Sequence, residues 1–328
     1  MSDAPTVQIV EIDDASEGQR IDNFLIKTLK GVPKSHVYRV IRGGQVRVNK
    51  KRVQAETRLC IGDQVRIPPI RVAAPQLAAD SVVPALEFPV LFEDDALLAI
   101  NKPAGIAVHG GSGQSFGVIE QLRKARPQAR FLELVHRLDK ETSGILLIAK
   151  KRSALNHLQD QFRSREMDKR YLALVQGLWP IRQKVIDLHL YKYLLASGER
   201  RVKVVDAAHA HAQRSLSLVK VLARQEDPTS VLGACSLVEV RIKTGRTHQI
   251  RVHLSHHRHP IAMDDKYGDE HWNRRCMQAG LSRMFLHAHR LEIHHPTTGL
   301  LLQLQAQIPA ELKPWALNLP EADPNYFA

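Results

Sequence analysis

No apolar run in this sequence approaches the ~18 residues that a helix needs to span a bilayer. The opening MSDAPTVQIVEIDDASEG lacks the basic stretch and apolar core of a secretory signal. The three cysteines, Cys60, Cys235 and Cys276, are far apart and none forms a CxxC, as expected of isolated thiols in a reducing compartment. These absences together predict a cytoplasmic protein with no membrane partner. The glycine-bearing NKPAGIAVHGG (Asn101 to Gly111) does not end in Gly-Lys-Ser or Gly-Lys-Thr, which argues against a triphosphate loop. GGSGQ at 110–114 lacks the GxSxG spacing of a hydrolase elbow. Histidines crowd 248–259 and 287–295, yet neither HExxH nor a cysteine pair accompanies them, so no metal site is expected.

Acidic residues are scarce in one place. From Gly18 to Val72 thirteen Lys or Arg stand against three Asp or Glu, a net +10 out of +13 for the whole chain. Such a concentration is the footprint of a module that binds phosphates, with nucleic acid the leading partner. RIDNFLIKTL spaces Ile21, Phe24, Leu25 and Leu29 as a helix, and Gly31-Val32-Pro33 breaks it. KSHVYRVIRGG reads as a second short helix that turns Lys34, Tyr38 and Arg42 outward and stops at Gly43-Gly44. QVRVNKKRV reads as strand, turn, strand, and GDQVRIP as another strand. GQRIDNFL, VPKSHVYRVIRGGQVRVNKKR and GDQVRIP together resemble the S4 RNA-binding domain. The resemblance implies RNA contacts through Lys34, Ser35, Arg39, Arg42, Asn49, Lys50, Lys51 and Arg52.

The stretch that follows is rich in Ala and Pro and has no periodicity, as a linker would. Four segments are expected: an S4-like domain at 18–72, a linker at 73–86, a catalytic domain at 87–312 and a fraying tail at 313–328. Within the body, VLFED and ALLAINKP predict a hairpin. SFGVIEQLRKAR and KRSALNHLQDQFRSREM predict helices. RYLALVQGLW, CSLVEVRIKTG and RLEIHH predict strands. The fold class is α+β, with a mixed, mostly antiparallel sheet and flanking helices.

LVHRLDKETSG holds one acid, Asp139, in a turn between the strand-like FLELV and GILLIAK. A polar turn explains the residue types; a catalytic carboxylate at the end of a buried strand explains them too. GRTHQIRVH reads as a turn and then a strand. Arg251 there sits among Ile250, Val252 and Leu254 and needs a carboxylate partner, for which Asp139 is the natural choice. An Asp paired with Arg is ionised at neutral pH, fit for a nucleophile or electrostatic stabiliser. Asp264 and Asp265, in MDDKYGD, read as turn residues, which leaves one obvious acid where a glycosidase uses two.

HRLDKETSGILLIAK, KRYLALVQG, TGRTHQIRVHL, HPIAMDDKYG and RMFLHAHRLEIHHP together resemble the pseudouridine synthases of large-subunit ribosomal RNA, over about residues 7–312. The resemblance implies cleavage of the uridine N1–C1′ bond, rotation of the uracil and rejoining through C5, with no cofactor and with 23S rRNA, or an assembly intermediate holding it, as partner. It makes Asp139 the catalytic acid. Attack at C1′, addition to C6 and removal of the C2′ proton all stay open as its first step. It makes Tyr171 the residue that stacks on uracil and takes the C5 proton, Arg251 the partner of the aspartate, and Arg137 the residue that displaces the base. Arg246, His248, Gln249, Arg283 and His287 match positions that support the site or bind RNA. Val204 to Lys220 departs from the family pattern, with His209 and His211 where lysine is common. A monomer is expected. The rival readings are a non-catalytic RNA-binding assembly factor and a related synthase acting on other rRNA or tRNA uridines.

Overall fold

The computed structural model describes residues 6–13, 15–29, 31–70, 83–110 and 116–320. Most of the expected linker and the end of the tail lie outside the described residues. No helix among those described is long and apolar enough to cross a membrane.

The basic segment folds as β1 (Gln8–Glu11), α1 (Ile21–Thr28), α2 (Lys34–Arg42), β2 (Arg47–Val48), β3 (Lys51–Arg52) and β4 (Gln64–Ile67). The strands pair in the order β1-β4-β2-β3. Both helices present apolar stripes at helical spacing to one small core, which holds Phe24, Leu25, Val37, Ile41, Val46 and Val65. Asn49 and Lys50 both take positive φ, 49° and 68°, as a two-residue hairpin turn between β2 and β3 demands. Gly44 stops α2 with φ +67°, and the Arg52 side chain lies against it.

The body follows as β5 (Val90–Glu93), β6 (Leu97–Lys102), α3 (Val118–Ala125), β7 (Glu133–Leu134), β8 (Ser143–Ala149), α4 (Arg152–Ser164), β9 (Asp168–Gln176), β10 (Val185–Leu194), β11 (Arg200–Val205), β12 (Gln213–Gln225) and β13 (Cys235–Ile242). It ends with α5 (Gln249–His256), α6 (Glu270–Gln278), β14 (Leu286–His294), β15 (Leu301–Gln305) and α7 (Lys313–Leu317). Among the described residues one eleven-stranded sheet runs β11-β10-β12-β13-β9-β14-β8-β6-β5, with β15 on β14 and β7 on β8. The pairings are antiparallel except β8 with β14. The mixed α+β class is therefore as expected. The continuous apolar run of β8 reflects burial on both faces.

Three expectations need correction. GRTHQIRVH does not form a strand: Gln249–His256 is α5. Its alternation of Ile250, Val252 and Leu254 misleads because Gln249 through Leu254 are all buried, so polarity no longer marks a solvent face. The tail does not fray at Lys313: Ala316 is buried, and Trp315 and Leu319 pack on the Trp272 and Phe285 core. FLELV gives only a two-residue strand, Glu133–Leu134.

The basic domain rests on the body near α4. The Arg152 guanidinium donates to Ala15 O at 3.2 Å and to Gln19 Oε1 at 3.4 Å, and stacks over Phe131 at 5.0 Å. Lys27 faces Glu133 at 3.4 Å.

Candidate active site

The acid turn is built by close approach of β8 to β14. Gly144 has φ +112°, and a Cβ there would meet Ala288 O at 2.2 Å. Only glycine allows Ser143 and Gly144 to pair in parallel with His287 and Ala288. The turn before it closes with Thr142 N–H donating to Asp139 O at 3.1 Å. Arg137, Leu138 and Asp139 all line the pocket, with Leu138 buried between the two charged residues. A further clamp comes from Lys102, at the end of β6. It is fully buried and donates to the carbonyls of Pro103, Ile106 and Lys140 at 2.7, 2.8 and 3.1 Å. Burial pulls its pKa down to about 7, although Glu141 and Asp139 oppose that. Lys102 thereby ties the NKPAG loop to the acid turn.

Asp139, Tyr171, Arg137, Arg246, His248, Gln249 and Arg251 line one pocket of about 110 Å³, with Leu138, Ile250 and Leu286 as apolar walls. Arg251 comes from the buried face of α5. Its main partner is Asp264, not Asp139: Nε and Nη2 donate to the two Asp264 oxygens, each at 2.7 Å. Nη2 also reaches Asp265 at 2.9 Å. Nη1 is left facing Asp139 Oδ2 at 3.7 Å. Burial opposes the charge on Arg251, but the Asp264 hydrogen bonds and the charges of Asp264, Asp139 and Asp265 outweigh it and raise the pKa. Burial also works against the Asp264 carboxylate. Arg251 and the backbone N–H groups of Tyr267 and Lys266 overcome this and hold it below its usual range. The MDDKYGD segment is thus more than a surface turn. A buried arginine does need an acid, and the sequence alone gave no way to choose the right one.

His248 sits in the left-handed conformation, φ 51°, just ahead of α5. Tyr267 Oη accepts from Val202 N–H at 2.9 Å and lies 2.8 Å from His248 Nδ1. This contact holds the orientation of the His248 ring. Nε2 faces Asp139 Oδ2 at 3.9 Å. Burial lowers the His248 pKa and keeps the ring neutral, despite the opposing charge of Asp139. Both contacts to Asp139 exceed hydrogen-bond length, so its oxygens stay open to a bound molecule. Tyr171, on β9, also has its pKa raised, first by burial and then by Asp139. It is held as a phenol.

The remaining expected residues divide in two. Gln249 is buried and bridges Thr244 Oγ1, Arg246 N–H, Leu216 O and Ser217 Oγ, so it frames the pocket. Arg283 donates to Ser143 Oγ at 3.0 Å, and the Ser143 hydroxyl lies 2.9 Å from His287 Nδ1. His287 is fully buried, with Nε2 3.2 Å from Ala306 O. This chain braces the acid turn from beneath, and it cannot touch RNA through His287. Arg246, half-buried, donates to Arg214 O at 3.3 Å. In the basic domain Lys34, Ser35, Arg39, Arg42, Lys50, Lys51 and Arg52 are exposed. Asn49 is exposed too, but its amide bonds Asp63 and the Gln64 N–H, so it shapes the turn.

Lys102 and Tyr267 were not singled out from the sequence. A lysine closing an otherwise apolar strand, LLAINK, was the available signal for the first.

Residues 96–256 match the family described as RNA pseudouridylate synthase, and residues 19–65 match the S4 domain. The chain is 52% identical to ribosomal large subunit pseudouridine synthase C of Escherichia coli (strain K12), covering 95% of this chain and 96% of that protein. It is 50% identical to the same-named protein of Pasteurella multocida (strain Pm70), over 94% and 92% of the two chains. A solved structure, human RNA pseudouridylate synthase domain containing 4, superposes with a TM-score of 0.55 at 27% identity, covering 72% of this chain and 95% of that one. With such identity along nearly its whole length, the chain belongs to the RNA pseudouridylate synthases and is an isomerase that carries an S4 domain.

Proposed function

We propose that this enzyme isomerises uridines of large-subunit ribosomal RNA to pseudouridine, with Asp139 as the catalytic carboxylate. Residues 18–72 grip the RNA, 73–86 link, and 87–312 perform the chemistry, in a cytoplasmic monomer. The observation that carries the reading is the Asp139 carboxylate, open at the base of a small pocket and faced by the free Nη1 of a buried arginine. The relatives' printed names supply the RNA.

A uridine inside a stack is out of reach of Asp139, so it must leave the stack at a cost of a few kcal/mol. Arg137 is exposed at the pocket rim and fills the gap left behind. The base enters beside Tyr171. The N1–C1′ bond breaks, the uracil turns, C5 bonds C1′, and the C5 proton leaves while N1 gains one. The reaction is an isomerisation with no net electron transfer, so it asks for no redox cofactor. Nη1 of Arg251 faces the carboxylate and balances its charge, and the neutral His248 ring packs beside it. Tyr171, held as a phenol, is poorly suited to take the C5 proton. Its role in this reading is to stack on the base.

The test is tritium release from uridine labelled at C5 in unmodified large-subunit rRNA, with the wild type and Asp139→Asn in parallel. Release by the wild type alone supports the reading. No release from either overturns it.

A further inference from the structure

The hairpin of β10 and β11 carries a group of rings that the catalytic pocket does not use. Tyr191 and Tyr193 alternate along β10 and share one face of the sheet. Their ring centroids lie 6.3 Å apart with planes 17° from parallel. His209 and His211, from the connection into β12, lie 4.5 and 6.0 Å from the Tyr191 ring. Lys203 pairs with Tyr191 in the register and holds its ammonium 5.5 Å from the Tyr193 ring. His209, His211 and Lys203 are exposed, and the two tyrosines are half-buried. The fold uses the other face of this hairpin, where Leu190 and Val202 are buried against Val252 of α5. The rings and the Lys203 ammonium are therefore gathered on the side that packing leaves open.

Two further observations say what covers it. Between Lys184 and Lys220, seven Lys or Arg stand against three Asp or Glu, which suits a polyanion. The turn of the same hairpin, Ser197 to Arg200, walls a groove of about 750 Å³ that shares Arg137, Leu138 and His248 with the catalytic pocket. The groove lies on the α5 side of the sheet, so a strand leaving the pocket along it reaches the tip of the hairpin and rounds it to meet the rings.

We propose that this face binds the single-stranded RNA that flanks the target uridine. Bases stack on Tyr191, Tyr193, His209 and His211, while Lys203 meets the phosphates. The inference rests on the RNA-substrate reading above. Displacing one base leaves its neighbours partly unstacked, and aromatic side chains can replace the lost stacking for any base.

The experiment uses the full chain and two probes: a labelled oligouridylate, and the same strand annealed to oligoadenylate. Three variants are compared with the wild type: Tyr191→Leu with Tyr193→Leu, Tyr191→Phe with Tyr193→Phe, and His209→Ala with His211→Ala. The expected result is about a tenfold loss of single-strand affinity in the leucine pair and a smaller loss in the histidine pair. The phenylalanine pair keeps wild-type affinity. Duplex affinity and the slope of log affinity against log salt stay unchanged, because no phosphate contact is removed. The proposal is overturned by unchanged single-strand affinity in the leucine pair, by an equal loss in the phenylalanine pair, or by wild-type binding that does not favour the single strand. A fall in thermal stability in place of affinity overturns it too, since cross-strand ring pairs would then serve only the hairpin. Tritium release from rRNA tests the reaction, and oligouridylate binding tests the hairpin, so the two readings fail separately.

Discussion

The basic domain and the catalytic pocket use the same cations in opposite ways. On α2 and the β2–β3 turn, Lys34, Arg42, Lys50 and Lys51 stand in solvent. At the pocket, Arg251 is 2% exposed and Lys102 is fully buried, each held by several oxygens. An exposed cation neutralises a phosphate wherever the backbone runs and releases counterions in doing so. A buried one does nothing for affinity, but it fixes the position and charge of a neighbouring acid. Grip and chemistry are thus separated in space, and they should separate in experiments.

Asp139→Asn should split them most widely. Turnover falls by more than about a thousandfold, in the range of losing an essential catalytic group, while RNA affinity measured by filter binding stays within about twofold because phosphate contacts dominate it. An equally large fall in affinity would join the two regions that the comparison separates. Asp264→Ala comes next, since it strands the Arg251 guanidinium in the core. Chemical denaturation should show a loss of about 3 kcal/mol, with hydrogen exchange placing it in the catalytic domain and leaving α1 and α2 protected.

Acid should act on the same side. His253 and His287 are fully buried, and burial pushes their pKa values down to about 4 and 3. The folded state thus refuses protons that the unfolded chain accepts below about pH 6.5. The stability these residues contribute is whole above that pH and is lost as pH falls toward 4, at roughly 2–3 kcal/mol per pH unit for the pair. A denaturant midpoint that is flat from pH 6.5 to 5 would contradict it.

Tyr267→Phe removes the hydroxyl that hydrogen-bonds the His248 ring. Its expected effect is about a tenfold fall in kcat with little change in KM, as for loss of one positioning hydrogen bond. A change in KM alone would assign Tyr267 to RNA binding instead. The smallest effect belongs to the other region: Arg42→Ala should weaken RNA binding a few-fold, lower the salt slope by about 0.7–0.9 and leave kcat unchanged.

How far each region could be read from its residues follows the same division. The basic domain was nearly legible in full, since two short helices, an Asn-Lys turn and a charge excess are local features set by nearest neighbours. The sheet of the body was legible through its apolar runs. The acid turn was legible as well, because Asp139 interrupts two of those runs. The α5 helix was not. A segment buried all round loses the polar face that distinguishes helix from strand, so GRTHQIRVH imitated a strand. The tail was misread because its burial depends on a core that draws on Leu172, Leu237 and Trp272, far back in the chain.

The sequence by itself determined the family, the two-part organisation, the fold class and the pocket acid, because motif, charge and periodicity are written residue by residue. Only the tertiary structure decided which carboxylate holds Arg251, which hydroxyl holds the His248 ring, and that His287 supports the site from beneath. Those assignments depend on distances of about 3 Å between residues far apart in the chain, and sequence spacing does not encode such distances.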